Sequence, residues 1–440
     1  MIRFFFLKLN IHQQKLSWML MILLSLFHLQ AGILPGWEKI QDDFPNYYVS
    51  AKLLSHHQDL SVLYSNELFN EKIKSFGLQP VGQFALYAPP NALILLPLSG
   101  LTPITAKRVW LSVNVLLIFV CGFLIKKITR LRWVASLNLL LLSGFALTND
   151  LFLGQVYLFT TTLLLLGILF FYVQKNYLSG LLLGTVLAFK YVSIGIVPTL
   201  FILRKWKVLF GMMVGALMLN IICLPFFGTT LLSYFYQHVF FSHINGLLYE
   251  GRPYAVQYQS WDSLLNNLFV YDEQFNSHPF MRSITLFYVI KFSLLTMVLT
   301  LLSWFFIRTF RNQYFFDITT SLSLISLLIL EPGSATYHNL FLLLPFILIL
   351  RLMIIHNCRL KFVYIACFAL IGFIPAVLNR YTIFNGINES HSSIFFILSF
   401  HRLWFEMVFY FCSVYFLYSM IKDNSHQKLH PVHEQINENF

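Results

Sequence analysis

At 440 residues, with 58% apolar side chains, 11% charged ones and a mean hydropathy of +0.69, the chain is excluded from the soluble globular class, whose members carry roughly 25% charged residues. A formal charge of +12 does not indicate a nucleic-acid partner, because Lys and Arg gather in short clusters at the ends of apolar stretches. The five cysteines, at 121, 223, 358, 367 and 412, include no Cys-x-x-Cys pair, so neither a disulfide framework nor a zinc site is indicated.

Apolar windows of about 20 residues place twelve spans, near 16–34, 109–126, 134–148, 155–173, 177–189, 192–203, 208–228, 284–308, 316–331, 339–355, 361–378 and 404–421. The first has the look of an uncleaved signal anchor, with Arg3, Lys8 and Lys15 ahead of its apolar run. The Pro-bracketed stretch 84–101 reads as a re-entrant or surface-lying helix, since counting it as a span would put Lys126, Lys127, Arg130 and Arg132 outside. Each of 177–189 and 192–203 is short for a crossing, and one tilted helix is the rival reading. A turn near Lys190 keeps Lys175 and the Arg204, Lys205 and Lys207 cluster on one side.

This topology puts 18 of the 30 basic residues but only 4 of the 18 acidic ones on the cytoplasmic side, with both termini inside. It divides the chain into a first span (1–34), a first outer loop (35–108), core helices (109–228), a second outer loop (229–283), C-terminal helices (284–421) and a polar tail (422–440). Long structured loops on one face are where function concentrates.

The candidate residues follow from that placement. Asp42 and Asp43 come just past the first span, at a depth where a carboxylate can take a proton from a sugar hydroxyl; the plain alternative is two acids marking a helix end. Tyr47 and Tyr48 serve either as interfacial anchors or as faces for a sugar ring. Gln155, after Asn149-Asp150 and Gly154, offers a donor and an acceptor where one span gives way to the next, or simply belongs to a capped turn. Lys190 interrupts an apolar stretch and either meets an anion such as a lipid phosphate or snorkels. Glu331 and His338 flank a Pro-Gly break, where His338 is suited to hold phosphate or pass a proton. Arg252, in the aromatic second loop, is suited to a bidentate phosphate grip. No Walker loop, His-Glu-x-x-His or serine-elbow sequence occurs.

In order and spacing, a set of short motifs resembles glycosyltransferase family 87, the polytopic transferases related to bacterial polyprenol-phosphate-mannose-dependent mannosyltransferases. They are Asp43-Phe44 with Tyr47-Tyr48, Leu63-Tyr64, Tyr87-x-Pro89-Pro90 with Pro97, Trp110 with Asn114, Asn149 with Leu153-Gly154-Gln155-Val156, Gly180 to Lys190 with Pro198, and Tyr337-His338-Asn339. The resemblance implies an all-α polytopic membrane protein, a GT-C-like bundle of about 12 transmembrane helices whose large first extracytoplasmic loop holds surface-lying helices. It implies Asp43 as general base, with Lys190 and His338 on the donor-phosphate side and Tyr87 among the substrate contacts. It further implies a polyprenyl-phosphate sugar as donor, a lipid or glycan acceptor and no metal cofactor, in a multi-pass protein of the plasma (inner) membrane surrounded by lipid. Where the family has a basic residue and a Gly-rich approach to its Leu-Tyr pair, this chain has Ser55-His56-His57-Gln58-Asp59-Leu60. The competing readings are a transporter of lipid-linked solutes, which would need inner-face acids, an O-antigen polymerase or ligase, which would place its functional loop late, and an inactive membrane scaffold, which leaves the acids and Lys190 at membrane depth unexplained.

Overall fold

The computed structural model describes residues 11–40, 43–79, 82–248, 253–384 and 394–424. The chain is all-helical, 78% helix, with no strand among the described residues. Six helices are long and apolar enough to cross a membrane, and a bent pair makes up to seven. It is a membrane protein.

In chain order, α1 (Ile11–His28) continues through a π turn and a short helix to Glu38. The polar segment that follows holds α2 (Phe44–Ser55) and α3 (Asn66–Ser75), then three short 3-10 turns over Phe84–Leu86, Pro89–Leu93 and Leu96–Leu98. Prolines at 89, 90 and 97 withhold the amide hydrogens a continuous helix needs, so 84–101 forms no straight crossing. The helix α4 (Pro103–Thr129) has 27 residues, about 40 Å at 1.5 Å per residue, ample for a hydrocarbon core of about 30 Å.

The stretch 134–148, expected as one span, is two helices, α5 (Trp133–Leu141) and α6 (Phe145–Leu153), bent by 75°. Gly144 turns the corner at φ +56°, and a Cβ there would lie 2.4 Å from the Gly372 carbonyl oxygen. His28 of α1 seals the break, its Nδ1 2.9 Å from Thr148 Oγ1 and its Nε2 2.9 Å from the Leu141 carbonyl oxygen. Polar backbone exposed by a bend within a membrane requires such a partner.

Next come α7 (Tyr157–Tyr172) and α8 (Asn176–Phe189). At Lys190 the backbone is extended (φ −145°, ψ 128°), and the chain then doubles back, with Ser193 Oγ donating to the Leu183 carbonyl at 2.8 Å. The region 177–203 is therefore not one tilted helix. After α9 (Val197–Ile202), α10 (Trp206–Tyr234) runs on through a π turn to Ile244, kinked where Pro225 and Gly228 interrupt its ladder. The remainder comprises α11 (Trp261–Phe269), α12 (Ile284–Thr309), α13 (Phe315–Ile329), a 3-10 segment at Thr336–Leu342, α14 (Leu343–Ile355), α15 (Lys361–Phe384), a short turn at Ile394–Leu398 and α16 (His401–Asn424).

Two large cores and a small one, where α11 meets Phe396, Phe400 and Leu403, result among the described residues. One core joins α4 to α8 with α13 to α16. A second joins the polar segment after α1 to the start of α4 and the far half of α10 through Phe44, Tyr47, Leu63, Phe84, Trp110, Phe227 and Phe235. Between α8 and α10 the contact is backbone on backbone: a Cβ on Gly184 would fall 2.1 Å from the Met212 carbonyl oxygen, and one on Gly215 2.3 Å from that of Leu181. Small residues permit such close approach in membranes, where packing replaces the hydrophobic drive. Gly184→Val is expected to force these helices apart at a cost of about 1–3 kcal/mol and to lower the melting temperature of the detergent-purified protein. Gly100→Val, at a position with no atom within 4 Å of the added Cβ, should leave it unchanged. Equal melting of Gly184→Val and wild type would contradict this packing.

Candidate active site

The site forms where the two large cores meet. Asp43 immediately precedes α2, and its side chain makes no capping hydrogen bond to that helix. Its charge instead acts on Tyr87, Lys107, Tyr157, Lys190 and Tyr337. A carboxylate whose field reaches groups on five other segments belongs to a shared site rather than to its own helix end.

Lys190 gives this site its cation. The break after α8 frees its side chain from the helix, and Asn91 Nδ2, donating to the Phe189 carbonyl at 3.1 Å, ties the Pro-rich turns to that break. The ammonium consequently sits beside two rings, 4.3 Å from the Tyr87 centroid and 4.5 Å from that of Tyr157. The ring faces attract a cation and stand in for part of its lost water.

Across from it, Glu331 Oε2 lies 2.9 Å from His338 Nδ1, and His338 Nε2 lies 2.5 Å from the Tyr157 hydroxyl. Burial would push the Glu331 carboxyl up, yet His338, His243 and Lys190 together hold it below the usual carboxylate range. It stays ionised at neutral pH. The segment carrying both residues is pinned by Arg402 of α16, which donates to Thr336 Oγ1 at 2.9 Å and to the Ser334 carbonyl, and by Ser260 Oγ, which donates to the Pro332 carbonyl.

A polar frame completes the floor. Tyr47 donates to Gln155 Oε1 at 2.6 Å, Gln155 Nε2 reaches the Tyr87 hydroxyl at 3.5 Å, and Trp110 Nε1 donates to the Gln155 carbonyl at 3.0 Å. Burial, aided by neighbouring groups, raises the Tyr47 and Tyr87 phenols, so both keep their protons and remain donors. Gly154 turns the chain from α6 into this frame at φ +74°, where a Cβ would lie 2.5 Å from Lys107 Nζ. Lys107 itself is fully buried, donating to the Phe152 carbonyl at 2.8 Å and acting on Asp150.

Of the residues expected from sequence, Asp43, Tyr47, Tyr87, Gln155, Lys190, Glu331 and His338 come together. Tyr48 turns elsewhere, stacking 5.7 Å from Phe44 and donating to the Leu101 carbonyl at 2.7 Å. Asp42 and Arg252 lie outside the described residues. Sequence reasoning missed Lys107, Tyr157, Arg402 and Glu406, whose Oε1 lies 3.5 Å from Arg402 Nε. For three of them a signal existed, an ionisable residue inside an apolar helix; for Tyr157 there was none. Among the described residues no group of three or more His, Cys, Asp or Glu side chains is arranged to hold a metal ion.

The sequence model of glycosyltransferase family 87 matches residues 85–332, more than half of the chain. The matched stretch includes Tyr87, Gln155, Lys190 and Glu331, while Asp43 and His338 fall outside it. No curated protein and no solved structure gives a match. A helical membrane bundle with buried acids, a caged ammonium and this family signature identifies the chain as a member of glycosyltransferase family 87, a membrane glycosyltransferase.

Proposed function

We propose that the chain transfers a hexose, mannose-like, from a polyprenyl-phosphate donor to a lipid or glycan acceptor at the extracytoplasmic face of the plasma membrane. The observation that carries this reading is the Lys190 ammonium held 4.3 and 4.5 Å from the Tyr87 and Tyr157 rings, within the field of the Asp43 carboxylate, which offers a cation for a phosphate and a base for a hydroxyl in one cluster. The acceptor oxygen bonds to the anomeric carbon as its proton passes to the Asp43 carboxylate, and the carbon–oxygen bond to the donor phosphate breaks. Lys190, with His338 beside it, stabilises the departing phosphate. Tyr47, Tyr87 and Gln155 offer ring faces and hydrogen bonds to the sugar, and Arg252 is a further candidate for the phosphate. Phosphate already leaves readily, so the reaction as written requires no metal.

Asp43→Asn is expected to lower transfer by about 10²–10⁴-fold while donor binding stays near the wild-type level, measured with radiolabelled polyprenyl-phosphate mannose and a membrane lipid extract. Near-normal rates in that variant would remove Asp43 from the mechanism. Lys190→Met is expected to weaken donor binding by about 1.5–3 kcal/mol, read by titrating donor into the purified protein. Unchanged affinity there would shift the phosphate site toward Arg252.

The reading also puts both termini in the cytoplasm and the segment after α1 outside. Cysteine placed at the exposed positions Ser55 and Lys127 should react with an impermeant thiol reagent from outside and only after permeabilisation, respectively. The reverse pattern would invert the protein and put the site on the inner face.

A further inference from the structure

Tyr157 joins two halves of the cluster that arise from distant parts of the chain. Its ring lies 4.5 Å from Lys190 Nζ, which also has the Tyr87 ring at 4.3 Å. Its hydroxyl meets His338 Nε2, and the two rings stack with centroids 4.7 Å apart at 23°. Tyr337 and Phe341 close on the same ring at 4.8 and 5.2 Å. Its backbone is held as firmly: Asp150 Oδ1 accepts from the Tyr157 amide at 2.8 Å and from that of Leu158 at 3.3 Å. Asp150 is wholly buried and thereby satisfies the first turn of α7 from the end of α6.

We propose that Tyr157 is a positioning residue with two separable tasks, its ring aiming the Lys190 ammonium and its hydroxyl fixing the orientation and tautomer of His338. The proposal rests on the reading above, in which Lys190 faces the donor phosphate. The ring forms one of two aromatic walls around the ammonium; without it the cation keeps a single wall and swings away from its line to the phosphate. The hydroxyl acts at the other end. Glu331 Oε2 lies 2.9 Å from Nδ1, which favours the proton of neutral His338 on Nδ1 and leaves Nε2 as the acceptor for the Tyr157 O–H. Both ring nitrogens are then engaged, and the imidazole has one orientation.

Two variants separate the tasks. Tyr157→Phe keeps the wall and removes the hydroxyl, whereas Tyr157→Met removes both while filling the space. In Tyr157→Phe the Kd for polyprenyl-phosphate mannose should stay within about twofold of wild type, turnover should fall about tenfold, and the ¹⁵N resonance of His338 Nε2 should move. That resonance is identified in ¹⁵N-histidine-labelled protein by its loss in His338→Gln. In Tyr157→Met the Kd should also rise about tenfold. An unmoved Nε2 resonance in the Phe variant overturns the role of the hydroxyl, and a wild-type Kd in the Met variant overturns that of the ring. Should the wild-type protein neither bind nor use this donor, the proposed function fails, and the His338 resonance, which needs no substrate, still decides whether Tyr157 orients the imidazole.

Discussion

The site depends on keeping one ammonium, that of Lys190, inside a membrane protein. A lone lysine at that depth costs about 2.5–3.5 kcal/mol on insertion scales. Here several features offset that cost together: an extended residue that ends α8, two tyrosine rings close by, and the fields of Glu331, Asp43 and Asp150. Each comes from a different segment, so the lysine is comfortable only when all of them have assembled. The fold and the site thus share one condition.

The same condition bears on the neighbouring polar groups, several of which are tied on more than one side. Gln155 is gripped by Tyr47, Tyr87 and Trp110, and the 331–338 segment by Arg402 and Ser260. In a low-dielectric interior an unmatched polar atom is expensive, so partial networks are worse than none. Rigidity follows, and a site held rigid before substrate arrives needs little rearrangement when charge develops on a leaving phosphate.

Much of this could be read from the residues alone. Asp43, Lys190, Glu331 and His338 were legible because each is ionisable and stands where an apolar run stops. Tyr157 was not, since a tyrosine opening an apolar helix is indistinguishable from packing until His338, 181 residues away, is seen beside it. Arg402 and Glu406 did leave a signal, two ionisable residues inside an apolar helix, but at four residues apart they also suit an ordinary surface pair, and tertiary contact shows them buried. Of the twelve spans the apolar windows predicted, the described residues show six helices, or seven with the bent pair, long and apolar enough to cross, because a window assumes a straight rod. It could not register the bend between α5 and α6, nor the kink of α10 at Pro225 and Gly228.

That bend has a consequence for how the protein is made. His28 enters the bilayer within the first helix, yet the groups that receive its ring, the Leu141 carbonyl and Thr148, lie 113 and 120 residues further along. The imidazole therefore has no partner for either ring nitrogen until α5 and α6 are in place. An unpaired polar ring in hydrocarbon costs several kcal/mol, which keeps α1 loosely held over that interval and lets it dock only once the corner exists. The docking of α1 thus depends on a corner made far along the chain, and loss of the Thr148 hydroxyl would surface as a defect in α1.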